Sequence, residues 1–150
     1  MDQLEEGFEI STDQLKFDLA YIHGFLSRSY WAQNIPLDIV RRSIEGAVCF
    51  GVFEGSRQVG FARVITDKAT FGYIADVFID ENYRGRGLSK CLLSTILAHP
   101  ELQGFRSWML GTLDAHGLYE KFGFTRLEEP GRMMRKGNPD VYKMKEQEQR

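Results

Sequence analysis

The spacing of apolar residues changes along the chain from helical to alternating and back. Leu15, Leu19, Ile22, Phe25 and Leu26 recur at helical spacing, with Thr12 or Asp13 placed to cap and a short strand before them at residues 8–11. Residues 27–36 mix aromatic and polar side chains and read as a loop. Pro36 then opens a second helix carrying Ile39, Val40 and Ile44, which Gly46 ends. From Val48 the period is two. Val48, Phe50 and Val52, then Val59, Phe61, Arg63 and Ile65, give two strands around the turn Glu54-Gly55-Ser56. A third strand covers residues 71–79, rich in aromatic and β-branched side chains. Beyond Gly85 and Gly87, Leu88, Leu92, Leu93, Ile96 and Leu97 share one helical face, and Pro100 closes that helix. Trp108, Met109 and Leu110 form a further strand, and residues 115–122 a short helix capped by Asp114 with an exit at Gly123-Phe124. A last strand falls near residues 132–135. Strands in the middle with helices interleaved predict an α/β (α+β) sheet with helices on both faces.

Composition narrows this picture. The chain of 150 residues suits one domain, placed at residues 1–142, with a polar tail at 143–150 that frays. Hydrophobic residues at 43% and charged residues at 27% argue against extensive disorder. Nineteen basic against 21 acidic residues give a net charge of −2, which counts against a nucleic-acid partner. No apolar run reaches the ~20 residues of a membrane span, and the first residues do not read as a signal peptide. Cys49 and Cys91 are too few for a disulfide scaffold and read as packing residues in a reducing, cytoplasmic setting. His23, His99 and His116 lack the spacing of a metal cluster, so no metal is expected.

The densest chemical signal lies between the strand ending at Ile79 and the following helix, in Arg84, Gly85, Arg86, Gly87, Leu88 and Ser89. Glycines let a backbone approach a ligand closely, and the unpaired amides and positive dipole end of a helix start favour an anion. Two arginines add charge where a pyrophosphate would sit. A solvated basic turn is the alternative reading of the same residues. A P-loop would need a lysine followed by Ser or Thr after the second glycine, and a dinucleotide fingerprint would need a third glycine where Lys90 stands. Neither fits.

The stretch resembles the coenzyme-A loop of the GCN5-related N-acetyltransferases (GNAT), Q/R-x-x-G-x-G/A, with Ser89 at the last small position. A second stretch agrees: Ala115, Leu118, Tyr119, Lys121, Phe122, Gly123 and Phe124 are similar to that family's A-x-x-L-Y-x-K-x-G-F segment. Where relatives often carry an asparagine three residues before the alanine, Thr112 stands here. The resemblance implies a mixed, mostly antiparallel twisted sheet of about six to seven strands with splayed central strands. It also implies acetyl-CoA as co-substrate and direct attack by a primary amine of a small molecule or peptide, through a tetrahedral intermediate.

Carried over residue by residue, the resemblance assigns the backbone of residues 84–89 to the pyrophosphate and that of Val77 and Ile79 to pantetheine, paired like an added strand. An N–H near Val77 or Phe78 would polarise the thioester carbonyl. Tyr119 would face the sulfur and protonate the departing thiolate, a task suited to a phenol of pKa about 10; packing on its helix is the alternative. For the general base, Tyr73 and Asp76 are candidates, read as lying on opposite faces of their strand, with ordered water as a third route. Tyr30 and Trp31 would wall the acceptor site. His116, three residues before Tyr119, is the one histidine placed to reach it. A non-catalytic acyl-CoA-binding sensor of the same fold is the competing function, and monomer and homodimer both fit.

Overall fold

The computed structural model describes residues 3–143. Five strands form one open sheet in sequence order: β1 (Phe8–Ser11), β2 (Val48–Glu54), β3 (Arg57–Thr66), β4 (Phe71–Ile79) and β5 (Ser107–Leu110). Neighbours run antiparallel except β4 and β5, which are parallel. The β2–β3 hairpin turns at Gly55, whose φ of 58° suits glycine. Helices α1 (Leu19–Leu26) and α2 (Leu37–Glu45) cover one face; α3 (Leu88–Ala98) and the short α4 (His116–Glu120) cover the other. With both faces covered, β2 is buried almost throughout, so Cys49 and Phe53 are buried between the alternating Val48, Phe50 and Val52. Toward α1 and α2 it contributes Cys49 beside Phe61 and Phe78; toward α3 it contributes Phe50 and Val52 beside Ala62, Val64 and Ile74. Leu88, Leu92, Leu93 and Ile96 of α3 are all buried there, each contributing about 1.5–3 kcal/mol of burial free energy.

Several expectations are corrected. Among the described residues the sheet has five strands, not six or seven, and residues 132–135 form none: Pro130–Arg132 is a 3-10 turn and Met134 stands 96% exposed. Leu15 is not on the first helix but in a 3-10 turn capped by Asp13, and the chain is extended at Phe17 before Asp18 caps α1. Phe17 turns inward against Phe53 and Phe61. The helix expected at 115–122 is shorter, and Asp114 does not cap it; Thr112 Oγ1 instead accepts from the Ala115 amide at 3.0 Å. The expected tail lies outside the described residues from 144 onward.

One irregularity positions the site. Between β3 and β4, Phe61 pairs with Phe78 but Arg63 pairs with Ala75, so Ala62 faces both Asp76 and Val77. Asp76 takes the extra step with φ 55°, a conformation that Asp and Asn tolerate better than most side chains. The bulge reverses which side chains face which helices: Ile74 packs toward α3, whereas Phe78 packs toward α1 and α2. Tyr73 and Asp76 therefore lie on the same face of the strand, not on opposite faces. Just before the bulge β5 ends, having paired only with residues 71–74 of β4. From Ala75 to Ile79 the edge of β4 facing β5 has no strand beside it among the described residues, and the two strands part there.

Candidate active site

Two recesses lie along that open edge. The smaller, of about 200 Å³, is lined by Ile79, Arg84, Gly85, Gly87, Leu88 and Ser89, with Lys90 and Leu118 at its margin. Gly85 and Gly87 adopt φ values of 78° and 76°, and an added Cβ at either would meet nothing within 4 Å, so the backbone faces open space. Gly87 caps α3 with no side-chain hydrogen bond, leaving the first-turn amides without a side-chain acceptor. An anion fits this donor set. The two arginines behave differently. Arg84 anchors the turn by donating Nε to the Ile79 carbonyl at 3.1 Å. Arg86 turns away to Glu5, with Nη2 to Oε1 at 2.8 Å, and lies 4.9 Å from the Phe8 ring centroid. That guanidinium holds the Glu5 carboxyl below its ordinary range.

The larger recess, a cavity of about 450 Å³, opens where β4 and β5 part. It brings together Tyr30, Trp31, Tyr73, Asp76, Val77, Thr112 and Tyr119. Val77 lines this cavity and Ile79 the smaller recess, so the unpaired edge of β4 runs from one to the other. Phe78 is different: its side chain is buried among α1 and α2, stacked on Phe25 at 3.8 Å, and only its backbone belongs to the edge.

Tyr119 is 8% exposed, with its ring edge-on to Phe124 at 5.9 Å. Burial, with a smaller contribution from Tyr30, pushes its phenol above the ordinary value of 10. The hydroxyl is therefore protonated at neutral pH, and among the described residues no protein group hydrogen-bonds to it. Tyr30 and Trp31 meet edge to face at 5.1 Å. Trp31 is fixed by its indole Nε1, which donates to Asp76 Oδ1 at 2.9 Å. The other oxygen of Asp76 accepts from Arg63 Nε at 2.8 Å. Both oxygens of Asp76 are thus engaged.

Two lining residues carry charge that the sequence did not assign to a site. Arg63 enters as one more position in a strand period, and only its pairing at the bulge reveals its place. Asp114 reads as a helix cap, but α4 has no side-chain cap, and the exposed side chain of Asp114 lines the cavity instead. His116 lines a second groove on the far side of Tyr119, with Trp108, Phe124 and Leu127, and not this cavity. His23 and His99 are engaged by the Ile35 carbonyl and the Glu101 amide. Cys49 and Cys91 are buried, and burial pushes the Cys49 thiol up to about 12. Among the described residues, no group of three His, Cys, Asp or Glu is arranged to hold a metal, and no helix is long and apolar enough to cross a membrane.

Comparisons with known proteins agree with this arrangement. The family model for an acetyltransferase (GNAT) domain matches residues 45–126, which includes the bulged strand, the glycine loop and the Tyr119 segment. A Gibberella zeae protein, named provisionally as an acetyltransferase, is 30% identical, with 75% of each chain covered. A crystal structure from Xanthomonas campestris pv. campestris, described provisionally as an acetyltransferase of the GNAT family, is 48% identical with a TM-score of 0.87, covering 90% of this chain and 96% of that one. A Clostridium acetobutylicum structure solved with acetyl-CoA shares the fold alone, at 15% identity and a TM-score of 0.65 over 87% of this chain and 96% of that one. By its sheet, its glycine loop and these likenesses, this chain belongs to the GNAT acetyltransferase family.

Proposed function

We propose that the protein moves an acetyl group from acetyl-CoA to a primary amine bound in the larger cavity. The observation that carries this reading is the open edge of β4. Backbone donors and acceptors run along it from an anion-sized recess at a helix start to an aromatic cavity holding a buried phenol. Acetyl-CoA supplies the thioester, an electrophilic carbonyl with a thiolate leaving group. The first-turn amides of α3 bind the pyrophosphate, and the β4 edge pairs with the pantetheine arm. An amide at the bulge polarises the carbonyl where charge develops.

Tyr119 gives its proton to the departing sulfur. Its raised pKa suits the place, because the burial that disfavours the phenolate also raises the basicity of a thiolate leaving beside it. Asp76 is assigned to holding Trp31 and Arg63 in position, through one hydrogen bond to each of its oxygens and its ion pair with Arg63. Asp114 is the exposed carboxylate of the cavity able to take the amine proton, directly or through water. Tyr73 forms wall.

The test is release of free thiol from acetyl-CoA across a panel of primary amines, with the product identified by mass. Amine-dependent release giving an N-acetylated product supports the reading. Tight acetyl-CoA binding without amine-dependent release points to the sensor.

A further inference from the structure

We propose that the acceptor amine carries a carboxylate of its own, bound by Arg63, so that the cavity takes an amino-acid-like zwitterion with an apolar or aromatic body. This rests on the reading of the cavity as an amine site.

Arg63 lies on β3 opposite Ala75, with a side chain 17% exposed, and it lines the cavity. Asp76 meets it side-on, through Nε alone. A guanidinium has five N–H donors. The four on the terminal nitrogens have no acceptor among the described residues, and no buried polar atom there is sealed from solvent without a partner. They therefore open on the cavity. A planar fork of parallel donors matches a carboxylate better than it matches a carbonyl or a hydroxyl. Because Asp76 already offsets the charge of Arg63, the site favours a singly charged carboxylate over a dianionic phosphate.

The rest of the cavity supplies the complement. Asp114, close in sequence to Tyr119, places a negative group where the ammonium must arrive. Tyr30, Trp31 and Tyr73 present aromatic surface to the body of the molecule. A plain amine would displace water from the Arg63 fork without offering it an acceptor, an uncompensated loss that an amino acid avoids.

The experiment compares kcat/KM for matched pairs: L-phenylalanine with phenethylamine, L-leucine with 3-methylbutylamine, and 4-aminobutyrate with butylamine, with phosphoethanolamine as the phosphate arm. At least one acid is expected to exceed its amine by about tenfold or more. In Arg63→Lys, which keeps a cation beside Asp76 but removes the fork, that preference should collapse while KM for acetyl-CoA holds. If Arg63→Lys fails to fold, the pair Arg63→Gln with Asp76→Asn removes both charges and serves the same comparison. Equal rates for acids and amines, a preference that survives the substitution, or a preference for phosphoethanolamine would overturn the inference while leaving N-acetylation standing. If no compound releases thiol, ligand-observed NMR with L-phenylalanine and 3-phenylpropionate decides. Binding lost in the Arg63 variant supports the carboxylate site although the acetylation reading fails; no binding to the unaltered protein overturns the site.

Discussion

Substituting Phe for Tyr119 removes one oxygen from a site where its two possible roles leave different traces. The ring is 8% exposed and packs edge-on against Phe124 at 5.9 Å. Tyr119→Phe keeps that packing. The hydroxyl makes no hydrogen bond to the described protein, so its loss strands no partner and should change stability by no more than about 0.5 kcal/mol. A structural tyrosine with a buried hydrogen bond would instead cost about 1–3 kcal/mol. On the rate side, a general acid is worth about 10²–10⁴, or roughly 2.7–5.4 kcal/mol of transition-state stabilisation. The interaction strengthens only as charge gathers on sulfur, so the loss belongs in kcat, with KM for acetyl-CoA nearly constant. The assay is thiol release under single-turnover conditions, paired with a thermal melt. An unchanged single-turnover rate would refute the assignment and leave water or substrate as the proton source. A several-degree fall in Tm with an unchanged rate would show that Tyr119 packs and does nothing more.

Other outcomes follow from the same geometry. Gly87→Asp should abolish acetyl-CoA binding by calorimetry in a protein that still folds, at a strain cost of about 1 kcal/mol for Asp at φ 76°, since its Cβ meets nothing within 4 Å while its carboxylate enters the anion recess; unchanged affinity would locate the pyrophosphate elsewhere. Gly60→Ala should lower stability by about 1–3 kcal/mol in a denaturant titration, because its Cβ would lie 2.8 Å from Ile79 Cδ1 and 3.0 Å from the Phe78 carbonyl oxygen. Asp114→Asn should lower kcat/KM at neutral pH, with the loss narrowing as pH rises and the amine loses its proton unaided; an unaltered pH–rate profile would exclude Asp114 as the acceptor of that proton. Cys49 holds its proton to about pH 12 in the fold but only to about 9 in the unfolded chain, so stability should fall as pH rises across that interval. Cys49→Ala should flatten that fall.

How much of this was legible from the sequence depends on where the information sits. The β2–β3 hairpin, α2 and α3 announce themselves through local period and turn chemistry, and the Gly85–Gly87 turn through its own residues. The start of α1 is not legible locally, because Leu15 satisfies helical spacing to Leu19 although the chain is extended between them at Phe17. Phe17 is drawn out of any helix by Phe53 and Phe61, residues distant in sequence. The bulge is tertiary: only the pairing of Phe61 with Phe78 and of Arg63 with Ala75 shows that Asp76 and Tyr73 share a face. Its one local trace is an aspartate able to adopt a positive φ. Arg63 was hidden for the same reason, since a strand period cannot tell which cation a distant carboxylate will turn toward a cavity. Asp114 looks like a cap from its place before the helix, but α4 starts at His116 with Ala115 at its N-cap and no side-chain cap, a boundary that local sequence does not mark.

The proposed coenzyme path runs along the open edge of β4, from the start of α3 to Tyr119. Amide NMR during an acetyl-CoA titration tests it most directly. Saturable shifts are expected, confined to the amides of residues 84–90 and of Asp76, Val77, Phe78 and Ile79, with the Tyr119 ring resonances moving on the same isotherm. Shifts centred on other elements, or none up to millimolar acetyl-CoA, would contradict it.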